Sequence, residues 1–205
     1  MQYVQLKERL KDFTVFSITD VSKIDNNFHR RRLNEWQDKG YLRKIVRGYY
    51  IFSDVKLDEH ALFEIANRIY APSYISFEMA LAYYGLIPES VYGITSACTR
   101  RTYTFKTKIG NFAYKTLRPR LYFGYDITEN NDKNFKIASP EKAILDYLYL
   151  NSGIKNKNGF ASLRLNRENF FKLIDKEKIE AFLNRFDQNT LTKRMRSLWR
   201  FMENA

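Results

Sequence analysis

The stretch RRRLNEWQDKGYLRKIVRGYYIF, residues 30–52, carries the pattern of an amphipathic helix followed by alternating strands. On a helical wheel of about 100° per residue, His29, Leu33 and Trp36 fall in one sector. The pattern therefore predicts a helix over 27–39 that turns these three side chains towards a core.

Two shorter helical patterns precede this helix, and a hairpin follows it. They cover 3–13 and 18–24, and Thr19 is expected to be the N-cap of the second. The connection Arg47-Gly48 is of the two-residue kind that closes a tight β-hairpin. Three helices followed by a hairpin predict a winged helix-turn-helix over residues 1–57.

The rest of the chain, residues 58–205, mixes helical and strand patterns. Residues 93–125 are rich in Thr, Tyr, Phe and Ile, which favours strands, and 126–134 is expected to be a polar loop. Helices are expected over 60–71, from Ser139 onward, and over 167–174, 176–186 and 190–202. We therefore expect an α+β protein: a winged helix-turn-helix, then an α+β domain with an antiparallel sheet flanked by helices and a helical C-terminus.

The charge balance favours a polyanionic partner. Lys and Arg number 35 against 23 Asp and Glu, a formal net charge of +12. Such a charge suits DNA, RNA or an anionic surface, although a Lys-rich composition without a partner is the alternative. The single Cys98 excludes an internal disulfide and fits the cytoplasm. No signal peptide and no apolar run of roughly 18 residues is present, so we expect no membrane contact.

The outer face of the helix over 27–39 combines arginine with asparagine. Arg31 and Asn34 lie opposite the apolar sector. Arginine can bond guanine bidentately and asparagine can bond adenine in the same way. A basic hairpin follows, as in winged modules that bind DNA. The pattern predicts DNA contacts from Asn27, Arg30, Arg31, Asn34, Arg43, Lys44 and Arg47. The alternative is an ordinary solvated helix face.

A second basic segment lies within the predicted sheet. Between residues 100 and 120 the chain has seven basic residues and no acidic one. Strand alternation places Lys106 and Lys108 on one face and Tyr103 and Phe105 on the other. This predicts a second basic surface for DNA, RNA or an acidic partner, or else a solvated sheet face. Its members are Arg100, Arg101, Lys106, Lys108, Lys115, Arg118 and Arg120.

Four segments in series resemble one family. They are YISFEMALAYYGLIPE (74–89), TRRTYTFKTKIGNFAYKTL (99–117), RLYFGY (120–125) and IASPEKAILDYLYL (137–150). Together they resemble the AbiEi antitoxin family of abortive-infection toxin–antitoxin systems, whose members also begin with a winged helix-turn-helix. The resemblance implies a protein that binds operator DNA to repress its own promoter. It also implies that the second domain counters a co-encoded nucleotidyltransferase toxin, AbiEii, with or without direct contact.

Residues for catalysis are few. The chain has two histidines and one cysteine, in no metal-ligand spacing, and it lacks a phosphate-binding glycine pattern. We therefore expect no catalytic residue, no metal and no cofactor. One alternative is a DNA-binding regulator without an antitoxin role. Another is a Mg-dependent nuclease that uses Asp126, Glu141, Asp146 and Lys142, although Ser139-Pro140-Glu141 is also what helix capping selects.

Overall fold

The computed structural model describes residues 1–88, 93–130 and 133–204, which form a small N-terminal module and a larger unit. The elements of the module are α1 (Tyr3–Arg9), β1 (Phe16–Ser17), α2 (Ile18–Ile24), α3 (Arg31–Asp38), β2 (Leu42–Val46) and β3 (Tyr49–Phe52). Those of the larger unit are α4 (Glu59–Ile69), β4 (Ser73–Ile75), α5 (Phe77–Tyr83), β5 (Ile94–Cys98), β6 (Tyr103–Thr107), β7 (Gly110–Thr116), β8 (Tyr125–Asn130), β9 (Lys133–Ala138), α6 (Pro140–Leu150), α7 (Lys157–Ser162), α8 (Arg167–Leu173), α9 (Lys176–Phe186) and α10 (Asn189–Glu203).

The N-terminal module has the architecture of a winged helix-turn-helix, as predicted. Its three strands form an antiparallel sheet in the order β1-β3-β2, and the helices pack against one face of that sheet. The small core of the module contains Leu6, Leu10, Phe16, Val21, Leu33, Trp36, Leu42, Tyr50 and Phe52.

The N-cap of α2 is Ser17, so the prediction of Thr19 was wrong. The Ser17 hydroxyl accepts a hydrogen bond from the Asp20 amide at 3.2 Å, and the Asp20 carboxylate accepts one from the Ser17 amide at 2.7 Å. Such a reciprocal pair satisfies two free amides at once, which a cap at Thr19 would not do.

The helix predicted over 27–39 begins only at Arg31. The Asp25 carboxylate accepts a hydrogen bond from the Asn27 amide at 3.1 Å, which holds a turn ahead of the helix. Phe28 then packs against Trp36, with ring centroids 5.7 Å apart. Because Phe28 takes the place near the core, His29 is exposed, contrary to the prediction. Leu33 and Trp36 are buried as predicted.

The sheet of the larger unit is mixed, which corrects the predicted antiparallel sheet. Its six strands run in the order β6-β7-β5-β4-β9-β8, and the pairs β5–β7 and β4–β9 are parallel. The predicted loop over 126–134 was also wrong, because most of it forms β8 and β9; residues 131 and 132 lie outside the described part. β8 lies at the edge of the sheet, where an outward face tolerates polar side chains and the alternating pattern is lost.

Helices cover both faces of this sheet, as expected for the α+β fold. Tyr114 of β7 donates a hydrogen bond to the Ala66 carbonyl of α4 at 2.7 Å. The next residue, Lys115, points to the other face and binds Glu78 of α5 at 3.1 Å. α6 lies on that same face, and α9 and α10 pack against it. The three C-terminal helices lie close to the predicted ranges.

The module and the larger unit share a hydrophobic core. Ile45 and Ile51 of the β2–β3 hairpin belong to the core of the larger unit, and Val15 joins them. An ion pair lies at the same junction: Arg68 of α4 binds Asp20 of α2 at 2.9 Å. The boundary near residue 57 stays a prediction, but the contacts across it are apolar as well as ionic.

Asp20 therefore serves two roles, capping α2 and binding α4. Burial raises the pKa of its carboxyl, but hydrogen bonds from Ser17 and Arg68 outweigh burial, so the pKa lies below its ordinary value. A carboxyl with a lowered pKa stabilises the fold above the pKa of the unfolded chain, and this stabilisation disappears as the pH falls through the folded-state pKa.

We expect Asp20→Asn to lower the free energy of unfolding at pH 7 by about 1–2 kcal/mol, the usual range for a lost cap or hydrogen bond. Below about pH 4 the difference should shrink progressively, because the carboxyl of the unfolded chain takes up its proton first and the folded carboxyl follows at lower pH. Urea denaturation at pH 7 and pH 3 measures both. Asp38→Asn, at an exposed aspartate, is the matched control and should change stability little. A difference that stays constant with pH would contradict the assignment.

Candidate nucleic-acid interface

Three predicted DNA-binding residues come together at the start of α3. The Arg31 side chain is 89% exposed, and its Nε lies 4.0 Å from the Glu35 carboxylate, at the limit of an ion pair. Arg30, immediately before the helix, and Asn34, one turn into it, are exposed as well. An exposed pair of this kind contributes little to stability, so Arg31 is available to a partner.

The exposed face of α3 also carries acidic residues. Glu35 and Asp38 are exposed in the C-terminal half of the helix, and sequence reasoning did not single them out. Asn27, by contrast, lies in the turn ahead of α3 and not on the helix itself. The basic part of the face is therefore confined to the N-terminal half of α3.

The hairpin presents its basic residues in two directions. Lys44 and Arg47 are exposed, and Arg47 lies in the turn beside Gly48, whose φ of +85° favours glycine. Arg43 is half-buried on the side of the larger unit, where its Nη2 donates to the Val55 carbonyl at 3.4 Å. Its Nε is buried and has no hydrogen-bond partner among the described residues.

The predicted second basic surface is divided. Three of its members have partners: Lys115 binds Glu78, Arg120 lies 3.7 Å from the Asp187 carboxylate, and Arg100 lies 4.2 Å above the Tyr70 ring. The four that are exposed and bear no ion pair with described residues are Arg101, Lys106, Lys108 and Arg118. Arg101 and Arg118 lie at one end of the β6–β7 hairpin, and Lys106 and Lys108 lie towards its turn, roughly 15 Å away at about 3.3 Å per residue.

The aromatic side of that hairpin follows the prediction. Tyr103 and Phe105 pair with Tyr114 and Phe112 of β7, which are buried. Tyr103 itself remains 52% exposed, because β6 is an edge strand of the sheet. Its ring stacks on that of Tyr70, with centroids 6.1 Å apart.

A cleft brings together residues that the sequence placed in two separate surfaces. Its volume is about 610 Å³, and it lies between the module and the turn of the β6–β7 hairpin. The lining residues are Gln37, Gly40, Leu42, Arg43, Lys44, Ile45, Ser53, Lys108 and Ile109. Sequence reasoning missed this cleft because its walls are far apart along the chain.

A buried ionic network lies in the core of the larger unit. Lys142 and Asp146, one turn apart on α6, form an ion pair in which both side chains have 0% exposure. The Lys142 ammonium also donates to the Tyr74 hydroxyl at 2.8 Å. Asp146 accepts hydrogen bonds from Tyr74 at 2.8 Å and from Ser76 at 2.9 Å. The network thereby ties α6 to the central strand β4 and to the start of α5.

Close packing surrounds this network. The ring centroids of Phe123 and Phe186 each lie 5.0 Å from the Nζ atom of Lys142. Gly124 has a φ of +69°, and a Cβ there would lie 3.2 Å from the Lys142 stem and 3.0 Å from Phe182. Burial lowers the pKa of Lys142 and raises the pKa of Asp146, and their mutual attraction opposes both shifts.

The carboxylates of the nuclease alternative do not gather into one site. Asp126 is exposed on β8, and Asp146 is buried beside Lys142. Glu141 accepts hydrogen bonds from Ser139 at 2.7 Å and from the Asp175 amide at 3.1 Å. Within the described ranges, no three His, Cys, Asp or Glu side chains lie where they could hold a metal ion. The capping explanation of the α6 start agrees with Ser139 as the observed N-cap.

No family model matches the chain, and no curated protein matches it. Among the described residues, no helix combines the length and the apolar character that crossing a bilayer demands.

We expect Asp146→Asn to lower the free energy of unfolding by about 3–5 kcal/mol, because it leaves the buried Lys142 without a counter-ion. Urea denaturation at pH 7 measures the change. The double variant Lys142→Met/Asp146→Asn removes both charges and keeps an acceptor for Tyr74 and Ser76, so it should recover most of the loss. Unchanged stability of Asp146→Asn alone would contradict a charged pair in the folded protein.

Proposed function

We propose that this chain is a cytoplasmic DNA-binding autorepressor and antitoxin of the AbiEi type. The observation that carries the proposal is the exposed group Arg30, Arg31 and Asn34 at the start of α3, which follows α2 as the second helix of the helix-turn-helix. Helix-turn-helix proteins insert the N-terminal residues of this helix into the major groove. In the proposed function, Arg30, Arg31 and Asn34 read the bases of operator DNA.

Other cations of the module supply binding energy without reading sequence. Arg47 at the hairpin turn and Lys44 on β2 are exposed and bear no ion pair with described residues. Lysine and arginine contacts to phosphate release counterions, which contributes affinity for any DNA sequence. The net charge of +12 favours the same partner.

The larger unit carries the antitoxin role in this proposal. Its partner is a co-encoded nucleotidyltransferase toxin like AbiEii, countered by direct contact or through the toxin's target. Arg101 and Arg118 lie at one end of the β6–β7 hairpin, near the half-exposed Tyr103. Cations beside an exposed aromatic ring also favour single-stranded RNA, which makes RNA a second candidate partner for this end of the sheet.

We expect Arg31→Ala to weaken operator binding by about 1–3 kcal/mol and to relax the preference at one base pair, as for a lost bidentate contact. Fluorescence anisotropy with operator duplexes mutated one base pair at a time measures both effects.

Arg32→Ala is the matched control, because it removes an equal charge from the next residue. The Arg32 guanidinium donates to the Met1 carbonyl and so points away from the reading face. Its loss should leave base preference unchanged. An Arg31→Ala variant whose base preference equals that of the wild type would remove Arg31 from the reading face.

We expect the full-length double variant Arg31→Ala/Asn34→Ala to lose repression of its own promoter and to keep antitoxin activity. The reason is that both residues lie on α3, apart from the larger unit. A promoter–reporter assay measures repression. Growth on co-expression with the nucleotidyltransferase-like toxin, under a foreign promoter, measures antitoxin activity.

The same growth assay separates the two functional candidates. A wild-type chain that restores growth supports the antitoxin role. A wild-type chain that represses the promoter but leaves the cells inhibited would reduce the protein to a DNA-binding regulator. A double variant that fails in both assays while remaining folded would mean that α3 also contributes to antitoxin activity.

A further inference from the structure

The cleft between the module and the larger unit has walls from four segments. Gln37 comes from α3, and Arg43 and Lys44 come from β2. Ser53 follows β3, and Lys108 lies in the turn between β6 and β7. The cleft thus starts at the C-terminal end of the helix that presents Arg31 and extends to the hairpin of the larger unit.

The electrostatics of the cleft favour an anion. Three of its lining residues are cations, and none of the lining residues is acidic. Arg43, Lys44 and Lys108 form no ion pair with the described residues. The guanidinium of Arg43 is held by a long hydrogen bond to Val55, while its buried Nε lacks an acceptor. A buried donor without an acceptor costs free energy, and a nearby negative charge that accepts from it offsets that cost.

The lining indicates which part of a nucleic acid would enter. No aromatic side chain lines the cleft, so a nucleobase would find no ring to stack on. Lysine ammoniums and the arginine guanidinium are the groups that proteins use to bind phosphate. The volume of about 610 Å³ leaves room for a phosphate together with its flanking sugars.

We infer that this cleft binds a backbone phosphate of the same DNA that α3 reads, so that Lys108 of the larger unit is part of the DNA interface. The inference rests on the proposed DNA-binding function. Lys44 and Lys108, which line the cleft from different segments of the chain, contact the phosphate, and the half-buried Arg43 adds its positive charge. The larger unit thereby adds affinity that does not depend on sequence.

The test compares Lys108→Ala with Lys106→Ala in the full-length protein. Both residues are exposed lysines near the same hairpin turn, but only Lys108 lines the cleft. Affinity for operator and for unrelated duplex DNA is measured by fluorescence anisotropy from 50 to 200 mM salt. One lost phosphate contact reduces the slope of log affinity against log salt by about 0.9.

The expected result for Lys108→Ala is an equal loss of affinity for both duplexes. The ratio of wild-type to variant affinity should fall about threefold between 50 and 200 mM salt, as one released counterion requires. Lys44→Ala should behave alike, and Lys106→Ala should leave the slope unchanged. Identical slopes for Lys108→Ala and Lys106→Ala would overturn the inference.

Two further outcomes separate failure of the proposed DNA-binding function from failure of the cleft inference. Wild-type protein that does not bind duplex DNA would defeat the proposed function itself, independently of the cleft. Isothermal titration with inorganic phosphate and with AMP tests for a free ligand. Saturable binding of either one that Lys108→Ala abolishes, with DNA affinity unchanged, would assign the cleft to a small phosphorylated ligand and overturn the inference of a DNA phosphate.

Discussion

The β2–β3 hairpin carries buried apolar side chains on both of its faces, and the arrangement of the two parts of the molecule depends on them. Leu42, Tyr50 and Phe52 enter the small core, while Ile45 and Ile51 enter the large one. The register shifts between Lys44 and Val46, so that Ile45 and Val46 both contact the large core. A strand pair with two apolar faces cannot move away from either core without exposing to water the apolar side chains that were packed there. The wing therefore fixes the direction of α3 relative to the larger sheet.

The ionic network of the larger unit shows a different form of constraint. Burying an ion pair rarely stabilises a protein more than apolar residues of similar volume would, but it admits few alternative arrangements. Lys142 and Asp146 reach Tyr74 and Ser76 on neighbouring elements, so a shift of α6 by one turn would leave charges without partners. We infer that the network secures the register of α6 against the sheet, which apolar contacts alone specify less strictly.

The sequence predicted the local structure well and the pairing of strands poorly. The winged module, the α6 cap and the three C-terminal helices follow from capping residues and periodicity, which act within a few positions. The start of α3 was missed because Phe28 packs against Trp36, a contact that only the folded module supplies. β4 was not predicted. All three of its residues are buried, so it lacks the alternation of apolar and polar residues that marks a strand with one face in water. The cleft that joins Arg43 to Lys108 could not be inferred from spacing either, because its walls are far apart along the chain and meet only in the folded protein.

In the proposed complex with DNA, the distribution of charge on the module separates the residues that give sequence specificity from those that give affinity. Arg31 and Asn34 are suited to reading bases, but Glu35 and Asp38 share the exposed side of α3 and would repel phosphates that lie against this side of the helix. A helix with this polarity approaches DNA with its N-terminal half, where the dipole of the helix also favours anions. The cations near the C-terminal end belong to β2 and to the β6–β7 turn, outside the helix. If the proposed function holds, few residues are thus left to determine which DNA sequence is bound, and the cations around them determine how strongly any sequence is held.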